Sequence, residues 1–378
     1  MPSIRIALLS CIATLLAPLV ALAHAPHDPV WVLAVSPAYG QDQTLLIGQT
    51  GSREWRTMEL LMSRNGGETW ATSPKGFDNV APITSCVTSP AFTTDHAILC
   101  TTFGEGVFRS LDAGLTWERA SAGLAIPRVM TAAMALDANG TTVAWVTTVE
   151  GALYSSTNLG QTWTQVAVPI TVSAVAASGD YATDETVIVG SFDGGTALSD
   201  NGGLAGTSTW SAQAFLGNET INVLVLPRGF SSHGTVFAGT SGGLFRSEDF
   251  GFNYQLNGSI PSEHVQAIVA SPSYATDNTV FAASANEGVF RSTNGGDNWT
   301  EFPHNIPFSG QSAVHNLVLD ISPDFAIDAT VLVGTFSGLG ISTDGGETWR
   351  ELDTRPPTLT MGLAISPNVT TDQTMFAA

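Results

Sequence analysis

Apolar and polar positions along this chain fall into one phrase that recurs from end to end. An apolar strand leaves through Ser-Pro, a loop with an aromatic residue and an aspartate follows, and a strand rich in Val, Ile and Leu returns. The phrase reads VSPAYGQDQTLLIG at 35–48, TSPAFTTDHAILCT at 88–101, ASGDYATDETVIVG at 177–190, ASPSYATDNTVFAA at 270–283 and ISPDFAIDATVLVG at 321–334. ISPNVTTDQTMFAA at 365–378 is a further copy, and LDANGTTVAWVT at 136–147 and LPRGFSSHGTVFAG at 226–239 are looser ones. The returning strand is apolar over consecutive residues, which suits burial on both faces. No stretch of useful length after the N-terminal segment has the period of an amphipathic helix.

Between these modules lies a second repeated phrase. It reads SRNGGETW at 63–70, SLDAGLTW at 110–117, STNLGQTW at 156–163, STNGGDNW at 292–299 and STDGGETW at 342–349. SEDFGFNY at 247–254 is a degraded copy, and SDNGG at 199–203 reaches Trp210 after a four-residue insertion. The closing aromatics are Trp70, Trp117, Trp163, Trp210, Tyr254, Trp299 and Trp349, spaced 47, 46, 47, 44, 45 and 50 residues apart. A period of that size predicts a propeller or a solenoid.

The local chemistry of this second phrase is that of a hairpin staple. β-rich runs such as GVFRS at 106–110 and 288–292 precede it, so Ser closes a strand. The Asp or Asn two residues on can hydrogen-bond backbone amides across a tight turn, and the Gly after it can take positive φ. Thr and Trp then restart an extended strand, with the indole available for burial. Asp112, Asp249 and Asp344 have the look of catalytic acids, yet Asn65, Asn158, Asn201 and Asn294 hold the same place. A turn tolerates that exchange and acid catalysis does not.

The pattern S-x-D-x-G-x-T-W resembles the Asp-box, or BNR, repeat of sialidases, sortilin-type receptors, some xyloglucan hydrolases and the photosystem II assembly-factor group. The resemblance covers nearly the whole chain after its first 25 residues and implies a β-propeller. It leaves the function open, because that family contains enzymes, receptors and assembly factors.

The expected fold is therefore all-β, a propeller of four-stranded antiparallel blades. Strands A and B flank the Ser-Pro loop, and strands C and D flank the box. Seven blades are expected at about 28–79, 80–127, 128–171, 172–218, 219–262, 263–311 and 312–358, with 359–378 as a partial extra repeat. Eight or more blades with a truncated C-terminus are the alternative.

Residues 1–25 read as an export signal, with Arg5 at the start, an apolar run, and Ala23-His24-Ala25 as the cleavage site. This leaves one domain over 26–378, secreted or periplasmic, with no further stretch long and apolar enough to span a bilayer. A formal charge of −20, with Lys75 the single lysine, argues against nucleic acid or an anionic membrane as partner. The repeats place Cys86 and Cys100 on successive strands of one hairpin, where a disulfide or two thiols packed as hydrophobes both fit.

Propeller geometry puts the Ser-Pro loops and boxes on one face, and the B–C turns and D–A connections on the other, where family binding sites usually lie. Glu105, Glu150, Asp193 and Glu287 occupy equivalent B–C positions, with Ser241 and Ser337 in two other blades. Acids there can bind a cation or a polyhydroxylated ligand, supply the carboxylate pair of a glycoside hydrolase together with Asp78, or simply solvate the surface. The longest D–A connection, FPHNIPFSGQSAVH at 302–315, adds His304, Phe308 and His315 as binding candidates. Nothing in the motifs points to a metal or a cofactor.

Against the requirements that the resemblance implies, a sialidase does not fit. Tyr39, Tyr154, Tyr181, Tyr254 and Tyr274 all sit in repeat positions, and Arg109, Arg246 and Arg291 recur in F-R-S phrases that read as structural. Xyloglucan hydrolases of this repeat type use two propellers, and this chain supplies one. The basic patch of the assembly-factor relatives has no evident counterpart among so few cations. The expected function is a binding or scaffold module for a protein or a glycan, with glycoside hydrolysis as the alternative.

Overall fold

The structure is a computed structural model that describes residues 30–50, 58–72, 76–77, 82–257, 260, 264–284, 288–302, 316–335, 338–352, 363–365 and 375–377. It contains seven four-stranded antiparallel sheets, each with its strands in chain order from A to D. The innermost strands are Val30–Val35, Ile83–Thr88, Val129–Leu136, Val172–Ala177, Ile221–Val225, Val265–Ala270 and Asn316–Ile321. They pack in sequence, and the seventh lies against the first. The molecule is a closed seven-bladed β-propeller. Leu363–Ile365 and Met375–Ala377 pair as a separate two-stranded sheet.

The hydrophobic core lies between neighbouring sheets. Strand B is buried along its whole length in six blades, as in Ile98–Thr102 and Val187–Ser191, because a sheet covers each of its faces. One cluster joins Leu33, Ile47, Leu61 and Trp70 of blade one to Leu332, Leu339, Ile341 and Leu352 of blade seven. That junction seals the ring by side-chain packing, with each blade keeping its own four strands. Close approach needs a small residue at one point of strand B. A Cβ on Gly190 would stand 2.5 Å from Ile221 Cγ2, and one on Gly334 would stand 2.8 Å from Val30 Cγ1.

Every A–B pair shifts register at its outset, a β-bulge repeated around the channel. Polar bulge residues bond to the next blade: Thr84 Oγ1 to the Val129 carbonyl at 2.8 Å, Ser173 Oγ to the Ile221 carbonyl at 2.7 Å, and Asn222 Nδ2 to the Val265 carbonyl at 3.1 Å.

The Ser-Pro loops hold the one departure from the purely strand-and-turn expectation. Six of them contain a single helical turn, such as Tyr39–Asp42 and Tyr274–Asp277, far too short to show as helical periodicity. The loop aspartate closes each turn. Asp42 accepts from Ser36 Oγ at 2.7 Å and from the Thr44 amide at 2.8 Å, and Asp95, Asp184, Asp277 and Asp328 repeat the arrangement. In blade five His233 Nδ1 takes the amide of Thr235 instead. The loop aromatic reaches the box, with Tyr181 Oη donating to the Gly202 carbonyl at 2.8 Å.

Cys86 and Cys100 lie opposite one another in register and form a disulfide between strands A and B of blade two.

Candidate functional site

The boxes have the geometry of turns. Ser342 Oγ accepts from the Gly346 amide at 2.8 Å and donates to Asp344 Oδ1 at 2.8 Å. Asp344 in turn accepts from the Thr348 amide at 2.8 Å and from the Thr348 hydroxyl at 2.6 Å. Asn65 does the same work: Oδ1 accepts from Ser63 Oγ at 2.9 Å and from the Thr69 amide at 3.0 Å, while Nδ2 donates to Thr69 Oγ1 at 2.9 Å. Asn158, Asn201, Asn294, Asp112 and Asp249 sit in equivalent Ser-linked turns. The Thr348 hydroxyl and amide hold the Asp344 carboxyl below its ordinary range, so it stays ionised, the opposite of what a proton donor needs.

The box indoles are set down by the same turn. Trp70, Trp117 and Trp299 donate from Nε1 to the carbonyls of Gly67, Gly114 and Gly296 at 3.1–3.2 Å. Trp163 instead reaches the Ala120 carbonyl of the previous blade at 2.7 Å. Nε1 of Trp210 and of Trp349 is buried without a hydrogen-bond partner.

The recurrent arginines tie three blades to the box of the next one. Arg109 donates to the carbonyls of Asn158 and Leu159 at 3.4 and 3.3 Å. Arg246 pairs with Asp297, and Arg291 bonds to the Gly345 carbonyl and to Glu347, both at 2.7 Å. These cations stand between blades on the box face and are committed there.

On the opposite face, a Ser or Thr at the end of strand B fixes the B–C turn. Thr102 Oγ1 accepts from the Glu105 amide at 3.0 Å and donates to the Gly106 carbonyl at 2.9 Å. Thr240 does the same for Gly242 and Gly243 at 3.0 Å, and Ser191 Oγ donates to Asp193. These bonds hold the backbone of the turns that carry Glu105 and Asp193. The recurring hydroxyl just before each turn was the sequence signal for this support.

Each described rim acid meets a partner of its own. Glu105 pairs with Arg119 of strand D, and Glu150 pairs with Arg128 of the connection between blades two and three. Asp193 is held by Ser191, and the Ser241 hydroxyl, which takes the place of an acid in blade five, donates to Glu219. Glu105 and Glu150 thus face arginines rather than each other. Glu287, His304, Phe308, His315, Ser337 and Asp78 lie outside the described residues.

Three residues outside the expected site candidates complete this patch. Phe103 forms an isolated β-bridge with Arg128 and is 48% exposed. The side chains of Arg119 and Arg128 remain 57% and 49% exposed despite their ion pairs. Blades two and three therefore present an exposed aromatic ring and two guanidinium groups, with Glu105 and Glu150 beside them. Arg and aromatic side chains are the types enriched at protein-binding surfaces.

The repeats and the fold match known proteins. The model of the photosynthesis system II assembly factor YCF48 family matches residues 42–309. The chain belongs to the YCF48 family. A BNR/Asp-box repeat model also matches residues 341–351, the seventh box. No curated protein matches the sequence. Among solved structures, YCF48 from Cyanidioschyzon merolae is similar with a TM-score of 0.57 at 15% identity, over 85% of this chain and 96% of that one. YCF48 bound to D1 peptide is similar with a TM-score of 0.58 at 14% identity, over 87% and 94%. The GH74 xyloglucanase from Xanthomonas campestris reaches a TM-score of 0.65 at 16% identity over 87% of this chain but 55% of its own, and shares the fold alone. Membership of the YCF48 family selects the assembly-factor branch of the Asp-box proteins, the branch that the scarcity of cations had counted against. Arg119 and Arg128 are cations that this family member does present on the B–C and D–A face.

Proposed function

We propose that this protein is a non-enzymatic, exported binding propeller that holds a peptide segment of a partner protein on its B–C and D–A face. The observation that carries the reading is the patch of Phe103, Arg119 and Arg128, exposed on a B–C turn, a D strand and the connection that follows it. An aromatic ring supplies apolar contact, and guanidinium groups hydrogen-bond to carboxylates or main-chain carbonyls of an extended segment. The solved YCF48 bound to D1 peptide supports a peptide as the ligand class. Export rests on the reading of residues 1–25.

Glu105 and Glu150 act in this account as partners that orient the two arginines. A hydrolase would need one acid and one nucleophile or base across a scissile bond, and here both glutamates are occupied by cations. The test is a paired screen of the purified protein against the D1 peptide and against xyloglucan, β-glucans and sialosides. Peptide binding with no release of reducing sugar is expected. Sugar release that disappears in Glu105→Gln or Glu150→Gln would replace this reading with the hydrolase.

A further inference from the structure

A second feature lies on the channel axis, away from the rim patch and independent of its assignment. The C-terminal halves of the inner strands surround a cavity of about 390 Å³, toward the Ser-Pro face. That volume falls in the range of small-ligand sites. At one level of its wall, two residues before the Ser-Pro position, stand Ala34, Val87, Ala176, Val225 and Asp320. Four blades use alanine or valine there, and blade seven uses a carboxylate. Since those four build the same inner strand without an acid, the fold does not demand one.

The carboxylate of Asp320 is fixed rather than free to swing out. Oδ2 accepts the Val35 amide and Oδ1 accepts its own Ile321 amide, both at 2.8 Å. Each carboxylate oxygen has a second lone-pair site, and Asp320 is half-buried at the cavity wall. Among the described lining residues it is the only ionisable side chain, since Cys86 is bound in the disulfide. Its carboxylate meets two amide donors and, among the described lining residues, no cation, with Ala34, Val87, Ala176 and Val225 at the same level of the wall. A ligand that stabilises it carries one positive charge on an apolar stem.

We infer that the channel cavity is a binding site for an alkylammonium group, with the ammonium on Asp320 and the alkyl stem against Ala34, Val87, Ala176 and Val225. Two sources share this chemistry, a free primary amine and the lysine side chain of a partner. The burial that surrounds Asp320 and pushes its carboxyl up to about 6 agrees with the site, since a bound cation restores the ionised form.

Calorimetric titration of the full chain with hexylamine, hexanol and the tripeptide acetyl-Gly-Lys-Gly-amide tests the site. Hexylamine is expected to bind on the order of tenfold more tightly than hexanol, the worth of one charge-assisted hydrogen bond. Asp320→Asn is expected to erase that preference. Ala176→Leu, which narrows the cavity from the wall of blade four, is expected to weaken binding of amine and alcohol alike. Binding of the tripeptide with the same dependence on Asp320 assigns a partner's lysine, and binding of hexylamine alone assigns a free amine. Equal affinity for amine and alcohol, amine binding unchanged in both variants, or no binding of either amine overturns the proposal.

Discussion

The amide of Val35 donates to Oδ2 of Asp320 at 2.8 Å, joining the inner strands of blades one and seven where the ring closes. This bond crosses 285 residues of sequence, and its acceptor is a carboxylate that burial pushes up to about 6. An aspartate raised above its unfolded value, about 4, favours the protonated form in the fold. Its contribution is therefore most favourable below pH 4 and is lost as the pH rises through about 6. The loss amounts to no more than about 3 kcal/mol. Asp320→Val, the side chain of blade two at this position, removes the titration along with the acceptor. Thermal melts of the two proteins are expected to show the variant gaining on the wild type from pH 4 to pH 6 and holding constant above. A stability difference flat over that interval contradicts the assignment.

Acid sensitivity of the boxes runs the other way. The Thr348 hydroxyl and amide hold the Asp344 carboxyl low, so its stabilisation is present above the unfolded pKa and lost as pH falls through the lower, folded one. Asp344→Asn is expected to change neutral stability by less than about 0.5 kcal/mol, because Asn65 makes equivalent bonds in blade one. Ser342→Ala is expected to cost about 1–2 kcal/mol, since its hydroxyl serves both the Asp344 side chain and the Gly346 amide. Urea denaturation at pH 7 ranks the two. A costlier Asp344→Asn would mean that the charge itself matters.

How much of this was legible in the sequence differs between the fold and the site. The boxes and Ser-Pro modules announced seven blades and their strand order because each encodes a local turn whose side chains bond within a few residues. Ser342, Asp344 and Thr348 complete their network inside seven residues. The single helical turns escaped notice, since a four-residue helix such as Phe92–Asp95 displays no period. The site was harder because its contacts are distant or outside the repeat. Glu105 and Glu150 were recognisable by position, but their partners Arg119 and Arg128 lie 14 and 22 residues away on other elements. Phe103 holds a turn position that Phe192 and Phe336 repeat, and the repetition gives no sign of its exposure. Asp320 sits in an apolar strand position, and only ring closure brings it to Val35.

Three boxes place a side chain where the backbone is left-handed. Ala113, Leu159 and Phe250 have φ of 56°, 54° and 62° at the position that Gly66, Gly295 and Gly345 occupy elsewhere. Leu159→Gly is expected to raise stability by about 1 kcal/mol, the strain of an L-residue in that region less the added freedom of glycine in the unfolded chain. An unchanged or lower denaturation midpoint would show that Leu159 contributes packing that offsets the strain.

Glycine in strand B has the opposite role. With a Cβ 2.5 Å from Ile221, Gly190→Val is expected to force blades four and five apart and cost about 1–3 kcal/mol or more. Hydrogen exchange is expected to show lost protection in Val187–Ser191 and Ile221–Val225 before the rest of the ring. Loss spread evenly around all blades would mean that the ring yields as one unit.

Binding to the D1 peptide, followed by fluorescence anisotropy in paired variants, tests the central claim most directly. Phe103→Ala and Arg128→Ala remove the exposed aromatic and guanidinium of the B–C and D–A face, whereas Leu115→Ala trims a leucine that is 52% exposed on the box face. The account predicts affinity lowered by about tenfold or more in the first two, the cost of a hot-spot side chain, and unchanged in the third. Affinity that survives in Phe103→Ala and Arg128→Ala but falls in Leu115→Ala would place the binding surface on the other face and contradict it.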